Sequence, residues 1–422
     1  KNIITDQVKG SLLSRNQIAY EAQALFDIKP LENQIVKGTA SLRRSYQKDT
    51  LQHLYYEDFF IGSLEYIGRF YNNAIQLNTY YEAGSGMEQK KGYSFIKVAT
   101  GQGTHVWNDY NNNQIEELNE FEVAVFQNEA NYIKIWIISN EYIYTYNNAF
   151  TQTLQFKPAL LWSQKKGFLK WISRFQNATL IRISQKNTKE NLMNALNPFS
   201  THTNDTTIIH SNIIINNTIT YNHSRLWGAD YYYKLNQNKH FLYYGPENKQ
   251  QESHELLLRV KPISQMIFRI SVMKGLKSNT STFFEANNYS ILFYNVKMEA
   301  NFQITSPFNV MITYQNKIKN NKMGIEKLNG NEWELDLKYR IPQKGNLSAK
   351  MKYTFFKTNQ DINGSLGYEM LEGLGVGKNL TWTFMYQMQI SEYLMVDFQY
   401  NGRLNEKSRA IHNGVLQLKV VF

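Results

Sequence analysis

The residues whose types and spacing most suggest chemistry lie between Gly101 and Glu122. There Asp109, Asn111, Asn113, Glu117 and Glu120 occupy positions 1, 3, 5, 9 and 12 of a loop. Side-chain oxygens at that spacing wrap a hard cation, because each successive ligand comes from the next bend of the chain. The position that normally carries Gly for the sharpest bend holds Gln114. The segment is therefore a candidate Ca²⁺ loop, and an acidic, Asn-rich surface loop has the same composition.

Other constellations point away from catalysis. The eight histidines show no metal-ligand spacing such as His-x-x-x-His. His210 with Ser211 and His254 with Ser253 are adjacent pairs, and adjacent residues on a strand face opposite ways. Gly373, Gly375 and Gly377 superficially suggest a phosphate loop, but a phosphate loop opens a helix and these glycines precede a strand pattern from Leu380. They read instead as a tightly turned or flexible loop. The expectation is a non-enzymatic protein.

The composition narrows the elements that must carry these residues. The chain has 422 residues, no Cys, only 7 Pro, and 14% aromatics, of which 29 are Tyr. Its mean hydropathy of -0.50 and the absence of any apolar run of helix-spanning length exclude a helical membrane protein. Lack of Cys removes disulfides, thiolate metal sites and thiol nucleophiles together. The net charge of +11 is scattered rather than gathered in a stripe, so it argues for anionic lipopolysaccharide or an anionic cargo and against nucleic acid.

Apolar residues recur at every second position. Trp333, Leu335, Leu337, Tyr339 and Ile341 share one face, and Glu332, Glu334, Asp336, Lys338 and Arg340 share the other. After a turn at Pro342 to Gly345, Leu347, Ala349, Met351, Tyr353 and Phe355 alternate with Ser348, Lys350, Lys352 and Thr354. The same dyad runs through 292–304, 308–314, 380–390 and 394–400, and through Leu154, Phe156, Pro158, Leu160 and Trp162. Leu416, Leu418, Val420 and Phe422 form the outward row of a closing strand. Runs of this length suit a tilted crossing of a bilayer, with apolar side chains to lipid and polar ones to a lumen. Glu332, Glu334, Asp336, Lys338, Arg340, Lys350 and Lys352 would then line that lumen.

Connections alternate between short ones, at 163–167, 262–265, 305–307, 342–345 and 391–392, and longer polar ones, at 185–205, 245–253, 317–331, 357–379 and 402–413. That phase is expected of periplasmic turns and extracellular loops. About 13 strands are counted from Glu141 onward, and the whole chain is expected to be an all-β transmembrane antiparallel barrel of about 14 to 18 strands. Residues 1–140 would supply N-terminal strands, a plug or a periplasmic part together with the acidic loop, and residues 141–422 the main barrel.

Gly101 to Glu122, and Gly367 to Leu374 followed by Gly377 to Trp382 and the closing strand, resemble the C-terminal region of large, mostly uncharacterised β-rich envelope proteins of Bacteroidota. The resemblance implies the outer membrane of a Gram-negative bacterium, a longer parent polypeptide and no established reaction; the family's loop usually keeps the Gly that Gln114 replaces. The function expected is a structural or translocation component of a larger envelope complex, in contact with outer-membrane lipid, lipopolysaccharide and other envelope proteins. A small-solute channel and a surface β-sandwich binding protein are the alternatives.

Overall fold

The computed structural model describes residues 2–9, 12–48, 54–189, 191–200, 206–223, 226–242, 245–341 and 344–420. Alternating apolar and polar residues, rich in Tyr, Phe and β-branched side chains, become strand almost throughout, because each such run can satisfy one face at a time. Among the described residues there are twenty strands. The first eight are β1 (Asn2–Lys9), β2 (Leu12–Leu31), β3 (Gln34–Lys48), β4 (Leu54–Phe70), β5 (Ile75–Lys97), β6 (His105–Trp107), β7 (Phe121–Val123) and β8 (Tyr132–Phe156). There follow β9 (Phe175–Asn187), β10 (Ile208–Tyr221), β11 (Trp227–Leu242), β12 (Gly245–Ile263), β13 (Met266–Ser281) and β14 (Tyr289–Thr305). The last six are β15 (Phe308–Asn321), β16 (Lys327–Ile341), β17 (Gly345–Thr358), β18 (Gly377–Ser391), β19 (Leu394–Asn405) and β20 (Ile411–Val420). Four short helices, α1 (Ala159–Trp162), α2 (Phe168–Ile172), α3 (Leu192–Leu196) and α4 (Gly364–Leu371), lie in connections. No helix among the described residues is long and apolar enough to cross a membrane.

The strands form one large antiparallel sheet. β6 and β7 are three residues each and belong to a connection; the other eighteen run from 8 to 25 residues. From β8 onward there are thirteen, the number expected from sequence. From β12 onward short links at 264–265, 306–307 and 392–393 alternate with longer ones at 282–288, 322–326 and 359–376, whereas residues 163–167, expected as a short turn, fall within a longer link, 157–174, that carries α1 and α2.

Three expectations need correction. Pro158 to Trp162 is not strand: β8 ends at Phe156, and Pro158 caps α1. A fixed φ and a missing N–H suit Pro to a helix start better than to a ladder. Residues 245–253 are the start of β12, and most of 317–331 belongs to β15 and β16. These segments are polar because one of their faces is turned to a polar interior, not because they are loops. The division at residue 140 falls inside β8; the compact units are instead 1–92, 138–219 and 234–248, and 93–137, 220–233 and 249–422. Pro342, Gln343 and Phe422 lie outside the described residues.

In the first unit β2, β3 and β4 pair in sequence, with Ala24 opposite Ala40 and Ala40 opposite Gly62. Residues 191–200 fold against buried amides. Asn148 and Asn187 both donate to the Ala195 carbonyl, at 2.8 and 2.9 Å, and Gln185 donates to the Ser200 carbonyl at 3.1 Å. Buried polar groups are tolerable when hydrogen-bonded, and these amides hold a loop where a soluble protein would place a core.

In the second unit β13 to β20 form an uninterrupted run of antiparallel neighbours. Its faces are inverted relative to a water-soluble sheet. Trp333 and Met351 are 54% and 50% exposed, whereas Glu332 and Thr354 on the other face are 6% and 1% exposed. A hydrophobic core cluster sits on the polar side at one end, where Ile291, Leu328 and Phe356 meet Ile362, Met370 and Leu371 from the 359–376 link. Leu416, Leu418 and Val420 carry the exposed apolar face to the last described strand.

Candidate functional site

The polar face of β15 to β17 is a network of charges held by register. Glu332 stands opposite Thr354, and Glu334 opposite Lys352. Lys317 Nζ lies 3.0 Å from Glu332 and 2.8 Å from Glu372, and Lys319 Nζ lies 2.8 Å from the second oxygen of Glu372. Lys352 reaches Glu332 at 3.4 Å, Lys350 reaches Glu334 at 2.9 Å and Lys338 reaches Asp336 at 3.1 Å. Removing so many charges from water is tolerable only because they are paired and hydrogen-bonded. Six of the seven residues expected to line a lumen thus share one face, in three ion-paired groups: Glu332 and Lys352 with Lys317, Lys319 and Glu372, then Glu334 with Lys350, and Asp336 with Lys338; Arg340 lies beyond them, exposed at the short-turn end.

Sequence reasoning missed Lys317, Lys319 and Glu372, the residues that tie a loop to this wall. α4 ends at Glu372, which takes a left-handed conformation (φ 56°), followed by Gly373 (φ 71°). Two such residues reverse the chain sharply, a conformation that costs a non-glycine residue about 1 kcal/mol or more. The reversal aims the Glu372 carboxylate between the two lysines. Burial alone would raise its pKa, but Lys319 and Lys317 outweigh burial and hold it at about 2. The glycine cluster is therefore a tight turn after a helix rather than a phosphate cradle before one.

A second link, 98–131, covers the first. Tyr368 Oη donates to the Val123 carbonyl at 2.8 Å and accepts from the Val125 amide at 3.0 Å. Asn287 Nδ2 donates to the Asn119 carbonyl at 2.9 Å, and Arg403 pairs with Glu129 while lying over the Phe126 ring. Burial, reinforced by Lys134 and Lys249, lowers His105 in this link to about 4, so it is neutral at pH 7.

The acidic loop is part of this cap. Gln114 adopts φ 61°, the left-handed bend that Gly would normally supply. Asp109 accepts from the amides of Asn113 and Gln114 at 3.1 and 2.9 Å, and Asn111 Nδ2 donates to Glu117 at 2.7 Å. Glu120 is buried: its oxygens accept from the Trp107 indole at 2.8 Å and from the Tyr110 amide at 3.2 Å. Among the described residues no group of three or more His, Asp or Glu side chains is gathered closely enough to hold an ion. The structure thus brings the five predicted ligands into one loop, with Glu120 committed to the loop's own donors.

Beneath the cap, against β17 to β20, lies a cavity of about 410 Å³. Lys350 and Lys352 line it together with Glu372, Phe126, Gln399 and Asn401. Its size is that of a small-molecule site.

No protein-family model matches the chain, and no curated protein matches it. Among solved structures, the ferric-catecholate import receptor Fiu of E. coli K12 aligns at 10% identity and a TM-score of 0.40, over 95% of this chain and 66% of that one. The FrpB iron transporter of Neisseria meningitidis aligns at 9% identity and 0.37, over 96% of this chain and 72% of that one. OmpT, an outer membrane protein of Vibrio cholerae, aligns at 6% and 0.31, over 79% and 88%. The chain spans just under two thirds of the length of the first of these. Likenesses at these levels assign neither activity nor substrate.

Proposed function

We propose that this chain is a non-enzymatic outer-membrane β-barrel that serves as a structural or translocation component of the Gram-negative envelope. One observation carries the reading: on β12 to β17 the exposed large side chains are apolar, as at Val272, Trp333 and Met351, while the buried ones on the opposite face are largely polar, as at Ser271, Glu332 and Thr354. A soluble sheet places its apolar residues against a core, and only a sheet bathed in lipid is stable with the reverse. Strand length agrees. β16 and β17, at 15 and 14 residues, exceed the roughly 9 to 11 residues of a tilted crossing.

Two long links, 98–131 and 359–376, fold onto the polar side of the second unit and are bonded there by ion pairs, which favours a plugged scaffold over an open pore. The small-solute channel is the second reading, and the cavity beside Lys350 is what favours it. Two measurements test these. Protein folded in detergent should migrate differently on gels before and after boiling, and identical migration contradicts the barrel. In planar bilayers a plugged scaffold shows no stable open level; a steady conductance that reverses selectivity in Lys350→Glu establishes the channel instead.

A further inference from the structure

The strands around the cavity divide sharply in how their polar side chains are used. On β15 and β16 nearly every charge is spent on another protein group. On β18 to β20 the uncharged groups that face the cavity are not so used: the side chains of Thr381, Thr383, Gln399, Asn401 and Asn413 line it and take part in no hydrogen bond with another described residue. These groups are not scattered. Lys350 stands opposite Thr383, Thr383 opposite Asn401, and Asn401 opposite Asn413. Neighbouring strands lie about 4.8 Å apart, so the four side chains form a row roughly 14 Å long across four strands.

Such a row has a definite chemistry. A hydroxyl and two amides in succession offer donors and acceptors side by side, which matches a ligand whose own hydroxyls both give and take protons. A purely anionic ligand would need more positive charge, and an apolar one would leave the amides unpaired at a cost of about 1 to 3 kcal/mol each. At one end of the row stand Lys350 and Lys352. Across the surrounding wall four lysines (Lys317, Lys319, Lys350, Lys352) face three glutamates (Glu332, Glu334, Glu372), leaving one positive charge over. Lys350 lines the cavity and its side chain is about half exposed, so its ammonium can turn from Glu334 to a ligand.

We propose that the cavity binds a short acidic saccharide, with a carboxylate at Lys350 and Lys352 and ring hydroxyls along Thr383, Asn401 and Asn413. The volume of about 410 Å³ admits about two sugar units. The assignment rests on the barrel reading, since it places the ligand on the lumen face.

The test uses the full chain folded in detergent, accepted only if it shows the heat-dependent gel shift, so that failure to bind counts against the site and not against the barrel. Isothermal titration compares digalacturonate with its neutral counterpart, α-1,4-galactobiose. Digalacturonate is expected to bind at least tenfold more tightly. Asn401→Ala and Asn413→Ala, checked for the same gel shift, should each weaken it about tenfold or more, and Lys350→Ala combined with Lys352→Ala should abolish the preference for the acid. Absence of binding by the wild-type chain, equal affinity for the two sugars, or affinity unchanged in the asparagine variants overturns the proposal.

Discussion

Lys317 on β15 reaches Glu332 on β16 at 3.0 Å, and both side chains are more than nine-tenths removed from solvent. The residues flanking them on the outer face, Ile318 and Trp333, are exposed. The same contrast recurs further along β16, where Asp336 is buried between Leu335 and Leu337 of the more exposed apolar face. Lys317→Met leaves Glu332 buried with only the longer contacts to Lys352 at 3.4 Å and the Thr354 hydroxyl at 3.3 Å, and should cost about 3 to 5 kcal/mol. Replacing both residues with Met should restore most of the loss, which a double-mutant comparison of unfolding from detergent would show; additive losses would mean that the pair does not act as a unit.

Leu335 lies midway along the outer apolar row of β16. Leu335→Arg should destabilise the protein in lipid bilayers by about 2 to 4 kcal/mol, the cost of a cation near the midplane of a barrel's lipid face. Gln399→Arg, midway along β19 on the polar face and breaking no ion pair, should alter stability in lipid far less. Unfolding titrations in vesicles give both values, and equal costs at the two positions would contradict the assignment of faces.

The docking of α4 should depend on pH through Glu372. Its folded pKa is held at about 2, below its ordinary value near 4.5, so its contribution is fully present above the ordinary value and is lost as pH falls towards 2. Hydrogen exchange of the α4 amides should therefore be constant from pH 7 to about 5, after correction for intrinsic rates, and quicken below. Glu372→Gln should show the loosened helix already at pH 7, with little further change on acidification.

Glu120 organises the acidic loop from within. Glu120→Ala removes the acceptor of both the Trp107 indole and the Tyr110 amide, and should cost about 1 to 3 kcal/mol for those buried donors. It should expose Trp107 to quenchers. Because those bonds occupy Glu120, Ca²⁺ added to chelator-treated protein should leave the melting temperature unchanged. A Ca²⁺-dependent rise that Asp109→Ala abolishes would establish the ion instead.

The strand faces were legible in the sequence wherever alternation was strong, as in Trp333 to Tyr339 or Leu380 to Ile390, because a strand sets which face a side chain takes from its own position alone. Pro158 to Trp162 also alternates, yet it folds as a helix, since proline's missing donor outweighs a short apolar pattern. Residues 245–253 were read as a loop because polar residues facing a polar interior leave no alternation to see. The wall residues from Glu332 to Lys352 followed from periodicity, but Lys317, Lys319 and Glu372 did not. Their meeting depends on α4 folding back over the strands, a contact across 53 to 55 positions of sequence. The row from Lys350 to Asn413 is likewise a property of register between four strands, which no single strand's sequence contains.

The absence of Cys allows the central claim to be tested residue by residue. Single cysteines placed at each position from Trp333 to Lys338 in vesicle-reconstituted protein can carry a nitroxide, whose accessibility to oxygen and to a polar nickel chelate is read by spin resonance. The account predicts a period of two, with oxygen accessibility high at 333, 335 and 337 and low at 332-face positions 334, 336 and 338. A flat profile, or one in which the polar reagent reaches 333, 335 and 337 more readily than oxygen does, would contradict a sheet whose apolar face meets lipid.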